Sequence, residues 1–162
     1  MFIDISKIKK CDGASVKIDC EIQFESLQFF GTDIAFLTPV RLTGSIKNVN
    51  YILYLHSSAE CMIGVECARC LEKIEKEFRF TVEEQFSDAP SDEDITLLEG
   101  EEIDLKFVTE QQFCAALPIS FLCDEDCKGL CLKCGQNLNV ASCDCEDEDI
   151  DPRLAVFKNF KV

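Results

Sequence analysis

Eight of the twelve cysteines in this chain fall into four close pairs: Cys67-x2-Cys70, Cys123-x3-Cys127, Cys131-x2-Cys134 and Cys143-x-Cys145. One to three residues between two thiols let a tight turn aim both sulfurs at one ion. Four thiolates at about 2.3 Å then close a structural Zn²⁺ site. Eight ligands make two such sites. One isolated CxxC would say little, but here three pairs lie within residues 123–145.

Two divisions of the eight thiols are open. In the first, Cys67 and Cys70 join Cys123 and Cys127 (site 1), while Cys131, Cys134, Cys143 and Cys145 form site 2. In the second, Cys67 and Cys70 join Cys131 and Cys134 in a ribbon, leaving Cys123, Cys127, Cys143 and Cys145. The first division has a physical advantage. Its site 2 closes a short loop at low entropic cost and can fold nearly alone. Its site 1 would staple a strand knuckle to the segment after a helix. Gly129 and Gly135 each follow a cysteine closely, where φ > 0 lets backbone N–H groups point at sulfur.

The other thiols carry no such pattern. Cys20, Cys61 and Cys114 lie on apolar faces and read as core, and Cys11 stands alone. The single histidine, His56, ends a strand pattern far from any ligand pair, so no Cys-His dyad forms. Sulfur alone closes both sites, with no open metal position for catalysis. The expectation is a protein that is not an enzyme.

The elements that must position these thiols show in the hydropathy pattern. Residues 14–24 alternate, with Val16, Ile18, Cys20, Ile22 and Phe24 on one face, the mark of a half-buried strand. Residues 40–55 repeat it with a phase slip, placed at Gly44 or at Asn48-Val49-Asn50. Residues 59–66 and 76–86 alternate again, and the first CxxC lies between them as a hairpin knuckle tipped by Ala68 and Arg69. Residues 87–104 are acidic and read as a loop. Asp104 can cap a helix running to Leu117, with Leu105, Val108, Phe113, Ala116 and Leu117 buried and Pro118 ending it. Asp151 and Pro152 start a last short helix. The expected fold class is α+β. An antiparallel β-rich, barrel-like domain with one central helix over 104–117 spans residues 1–118. A cysteine-rich zinc module with the short C-terminal helix spans 119–162.

Composition narrows the setting. Hydrophobic residues are 47% of the 162, with 13 phenylalanines, enough for a core without disulfides. The first residues lack a secretory pattern and no run reaches membrane-span length, so a cytoplasmic protein with reduced thiols is expected. The formal charge of −15 repels nucleic acid over most of the surface. The run Asp144, Glu146, Asp147, Glu148, Asp149 and Asp151 reads as a solvated acidic stretch.

Five segments occur in fixed order: Val65-Glu66-Cys67-Ala68-Arg69-Cys70-Leu71, Leu117-Pro118-Ile119, Cys123 through Cys131, Cys134-Gly135-Gln136-Asn137-Leu138-Asn139 and Asp151-Pro152-Arg153-Leu154. Together they resemble the YceD family of bacterial and plastid proteins, from about Val65 to Phe160. The resemblance implies a non-enzymatic factor needed for accumulation of 23S rRNA and for assembly of the large ribosomal subunit. Some members keep the first CxxC and metal-type residues at Cys123 and Cys127 but lack the later four cysteines, which favours the first division of thiols. Leu132 stands where many relatives have proline, which should loosen that knuckle slightly.

The resemblance therefore implies a partner in the precursor of the large ribosomal subunit, met through a basic ribosomal protein or through rRNA. Membrane and small-molecule partners are not expected. The acidic surface suits a basic protein. Arg69, Lys73, Lys76 and Arg79, near the first knuckle, are the candidates for phosphate or partner contact, although Glu72, Glu75 and Glu77 interleave with them. Two other functions fit the thiols alone: a zinc-bearing protein–protein adaptor, and a rubredoxin-like iron or redox protein.

Overall fold

The computed structural model describes residues 1–29, 31–90 and 92–145. Its centre is an antiparallel sheet whose strands alternate buried and exposed residues, as the period-2 pattern predicts. The first path is β2 (Ser15–Ile22) followed by β3 (Leu27–Phe29), and the second is β4 (Thr32–Phe36) followed by β5 (Val40–Val49). These pair along both halves, Cys20 with Leu42 and Leu27 with Ile34. The third and fourth paths are β6 (Ile52–Glu66) and β7 (Lys73–Ser87), paired from Leu53–Phe86 to Glu66–Lys73.

Alternate residues of every strand reach one core. Ile18 and Ile22, Val40, Leu42 and Ile46, Leu53, Leu55, Ile63 and Val65, and Phe80, Val82 and Phe86 are all buried together. The slip expected within 40–55 is a hairpin. Asn50 and Tyr51 have φ of 54° and 64°, the two left-handed positions of a two-residue turn whose twist matches its strands. Buried Asn48 braces it: its Oδ1 accepts from Tyr51 N at 2.9 Å, and its Nδ2 donates to Ile8 O at 2.7 Å. Gly44 marks no slip, since Val40, Leu42 and Ile46 keep one face on either side of it. It serves a close approach instead. A Cβ there would lie 2.3 Å from His56 O and 2.4 Å from Ser57 Cα, both backbone. Gly44→Ala should therefore cost about 3 kcal/mol, near the top of the usual overpacking range, read as a lower denaturant midpoint with unchanged slope. A wild-type midpoint would mean that β5 and β6 are not packed this tightly.

The sheet is open, not barrel-like. Its pairing runs from β2 and β3 on one side to β7 and β8 (Thr96–Leu97) on the other, with no pair closing the ring among the described residues. Helix α2 (Leu105–Ala116) covers the apolar face instead. Asp104 caps it, accepting from Lys106 N at 3.0 Å. Leu105, Val108 and Phe113 are buried as expected; Ala116 is exposed, and Thr109 takes a buried place.

The acidic stretch 87–104 holds more than a loop. It supplies β8, parallel to the end of β7, and β9 (Glu102–Asp104), which pairs with β1 (Phe2–Asp4). A four-residue helix, α1 (Ser6–Lys9), follows β1. The expected helix starting at Asp151-Pro152 and most of the acidic run lie outside the described residues. No helix among those described is long and apolar enough to cross a membrane.

Candidate metal centres

The hairpin of β6 and β7 ends in a tight knuckle over residues 67–72. Cys67 N donates to Glu72 O at 2.9 Å and Leu71 N to Cys67 O at 2.9 Å, with Leu71 at φ 61°. That turn aims both Cys67 and Cys70 inward. The opposite pair arrives after α2. Leu117 and Phe121 sink into the main core, and Ala68 N donates to Phe121 O at 2.8 Å, tying the segment to the knuckle. Asp124 then turns the chain, accepting from Asp126 N through its side chain and from Cys127 N through its carbonyl.

This brings Cys67, Cys70, Cys123 and Cys127 together with all sulfurs within 4.8 Å of one another. Cys67, Cys70 and Cys127 are buried and Cys123 partly so. Cys67 Sγ lies 3.8 Å from Cys127 Sγ, and Cys70 Sγ lies 3.6 Å from Cys123 Sγ. A disulfide needs about 2.05 Å. A tetrahedron of four sulfurs at about 2.3 Å from a central ion has edges of about 3.8 Å. The donor set thus fits a four-coordinate metal and not a pair of disulfides.

Cys131, Cys134, Cys143 and Cys145 form the second group, also within 4.8 Å and more exposed. Its knuckle closes through Gly135 N to Cys131 O at 2.8 Å, with Gly135 at φ 74°. Gly129 has φ 75°, and a Cβ there would lie 3.0 Å from Arg69 O. The grouping of all eight thiols is the first of the two divisions.

The thiols are unequal in acidity. Burial works to raise Cys67, but backbone N–H groups of Cys70, Arg69 and Cys123 override it and bring the thiol down to about 6. Backbone N–H groups of Cys134 and Lys133 do the same for Cys131, also to about 6. Cys123 is pushed up to about 12, chiefly by the Cys127 and Cys70 sulfurs, and Cys145 up to about 12, chiefly by the Cys134 sulfur. Like charge blocks further ionisation until a cation neutralises it, so metal entry must release protons.

The two groups interlock, contrary to the expectation that the second folds nearly alone. Leu130 N donates to Arg69 O at 3.1 Å and Leu138 N to Gly129 O at 2.9 Å. Asn137 Nδ2 reaches Glu72 Oε1 of the first knuckle at 2.9 Å. Asn139 Nδ2 donates to Cys127 Sγ at 3.2 Å. In sequence these asparagines stand in a family segment that gives them no role; the Asn-x-Asn set between two ligand pairs is the signal they offer.

The four cations do not form one patch. Arg69 Nη1 donates to Cys127 O at 2.8 Å and to Glu125 O at 3.2 Å, which ties it into the first knuckle. Arg79 is bonded to Glu77 and lies near Glu60. Strand alternation puts Lys73 and Arg79 on one face of β7 and Lys76 on the face of Phe78 and Phe80. Exposed His56 pairs with Glu83 at 2.8 Å. Cys61 is a core thiol pushed up to about 11 by burial, and Cys20 and Cys114 pack against the same core.

The chain is 38% identical over 63 residues to the chloroplastic large ribosomal RNA subunit accumulation protein YCED homolog 1 of Arabidopsis thaliana, covering 39% of this chain and 20% of the plant protein. It is 29% identical over 166 residues to an uncharacterized protein of Mycobacterium tuberculosis, covering 96% of this chain and 78% of that one. An uncharacterized protein of Mycobacterium leprae is 26% identical over 147 residues, covering 85% and 67%. No solved structure matches. The family model described as large ribosomal RNA subunit accumulation protein YceD matches residues 55–161, from the β6–β7 hairpin through both cysteine groups, and the chain belongs to that family.

Proposed function

We propose that this protein is a non-enzymatic factor for accumulation of 23S rRNA and assembly of the large ribosomal subunit, with Zn²⁺ in both cysteine groups. The observation that carries the reading is the family match over the knuckle hairpin, the helix and the eight cysteines. All-sulfur, four-ligand sites have no open position for a substrate, so the metal's part is structural. Iron also suits four thiolates, and a rubredoxin-like centre would absorb in the visible where zinc does not.

A basic ribosomal protein is the favoured contact within the precursor particle. Arg69 and Arg79, two of the four candidate cations, are already engaged by carbonyls and carboxylates, which weakens them as contacts for rRNA phosphate. A surface notch lined by Leu97, Phe107, Glu84, Glu99 and Glu102 instead joins apolar area to a carboxylate rim. Such a rim complements Lys- and Arg-rich protein and steers its approach.

Depleting the protein in cells should lower the ratio of large- to small-subunit rRNA, and a rescue copy should restore it. An unchanged ratio with normal subunits would remove the ribosomal reading and leave a zinc-bearing adaptor of another client.

A further inference from the structure

We infer that Asn139 is a positioning residue that couples the two cysteine groups: the second group holds its carboxamide in place, and the carboxamide stabilises metal bound in the first. Asn139 lies between Cys134 and Cys143, so closing the second group fixes both ends of its segment. Yet its Nδ2 contacts a sulfur of the other group, Cys127 Sγ, at 3.2 Å. The amide orientation is fixed by its partners. Lys128 N, which can only donate, lies 2.7 Å from Asn139 Oδ1. That turns the NH₂ end towards sulfur, and Asn137 Oδ1 accepts from it at 3.0 Å. Asn137 in turn holds Glu72 in the first knuckle.

An N–H donor on a thiolate ligand spreads its negative charge and orients its lone pairs. Removing such outer contacts typically lowers metal affinity 10–100-fold. Here that donor is delivered by a loop whose order depends on a different metal site. The more exposed second group thereby acts as a latch on the buried first one. Two bound metals hold each other, and loss of the second frees Asn139 and weakens the first.

The inference rests on the reading that both groups bind metal, and one experiment separates the two. Native mass spectrometry first counts zinc on the full chain. Zinc release to a chromogenic chelator is then followed for wild type, Asn139→Ala, Asn139→Asp, Cys143→Ser and the Cys143→Ser/Asn139→Ala double variant. Asn139→Ala should speed release from the first group about 10-fold. Asn139→Asp keeps the acceptor for Lys128 N but sets a carboxylate against a thiolate, so it should release at least as fast as Asn139→Ala. Cys143→Ser should speed first-group release by a similar factor, and the double variant should add nothing, because both changes break one link. Co²⁺ loading gives a second readout: the sulfur-to-cobalt absorption of the first group should shift in each variant. Cys145→Ser replaces Cys143→Ser if that variant does not fold. Two zincs on wild type with Asn139→Asp behaving as wild type would overturn the coupling alone, leaving Asn139 a loop brace. So would an unchanged first-group rate when the second group is emptied. No zinc on wild type would overturn the metal reading, and the coupling with it.

Discussion

Replacing Cys67 with serine is expected to remove one metal equivalent and to melt the junction between the β6–β7 knuckle and the segment that follows α2. Cys67 is fully buried at the end of the longest hairpin, with its sulfur 3.8 Å from Cys127. A serine hydroxyl is a poor substitute for a soft thiolate. Three sulfurs would remain crowded without the ion that neutralises them. Because such a site does not exist in the unfolded chain, its binding energy is folding energy, on the order of 10 kcal/mol. Among the described residues, the cluster around Cys67, Cys70 and Cys127 adds only Leu122, Cys123 and Leu130 as apolar packing. With so few hydrophobic contacts of its own, the knuckle depends on the metal as well as on the core contacts of Leu117 and Phe121. The measurement is metal stoichiometry beside residue-level amide exchange. Residues 67–72 and 121–130 should lose protection, while the β2–β5 pairing keeps it. The contrast is Cys143→Ser, in the half-exposed group, which should leave the sheet intact. A Cys67→Ser protein that keeps two metals and wild-type protection would refute a stapling role for the first group.

Much of this arrangement was legible in the residues, for reasons that differ by element. Strands β2, β5, β6 and β7 each bury one face against a single core, so period-2 alternation marked them, and the knuckle followed from where two of them met. Strands β8 and β9 are two and three residues long and lie within a stretch rich in acidic side chains. A pattern that short carries no period, and long-range pairing alone creates them. Barrel closure depends on strand number and on what else covers the apolar face, and α2 decided that. In the site, thiols declare themselves because soft ligands at turn spacing have few other uses in a reduced chain. Asn137 and Asn139 stand in a family segment but their roles do not show there, since a hydrogen bond to a sulfur or to a knuckle carboxylate has no spacing rule. Arg69 illustrates the converse. A cation at a knuckle tip resembles a phosphate contact in sequence, whereas in space its guanidinium closes the turn that carries Cys127.

The core and the first metal centre are also energetically one object, and Phe113→Ala should show it without touching a ligand. Phe113 is 2% exposed, and its ring lies 4.9 Å from that of Phe36, 5.3 Å from Phe78 and 5.5 Å from Phe80. Removing it opens a cavity where α2 meets the sheet and should cost about 3–5 kcal/mol. Leu117 and Phe121, which continue from α2, belong to the same core, and Phe121 O accepts from Ala68 N in the knuckle. Cys123 and Cys127 therefore face Cys67 and Cys70 only while the core is packed. If the truncation leaves a fraction of the metal-free chain unfolded, apparent metal affinity should fall in proportion to the folded fraction. Excess metal should restore the native state by mass action. Thermal unfolding of metal-loaded and chelated Phe113→Ala, run beside a competition titration for zinc, tests both halves. A destabilised variant with undiminished apparent affinity would mean that the four sulfurs assemble without the core. In that case the knuckle and the segment after α2 would form an autonomous unit, and the sheet would serve only to carry it.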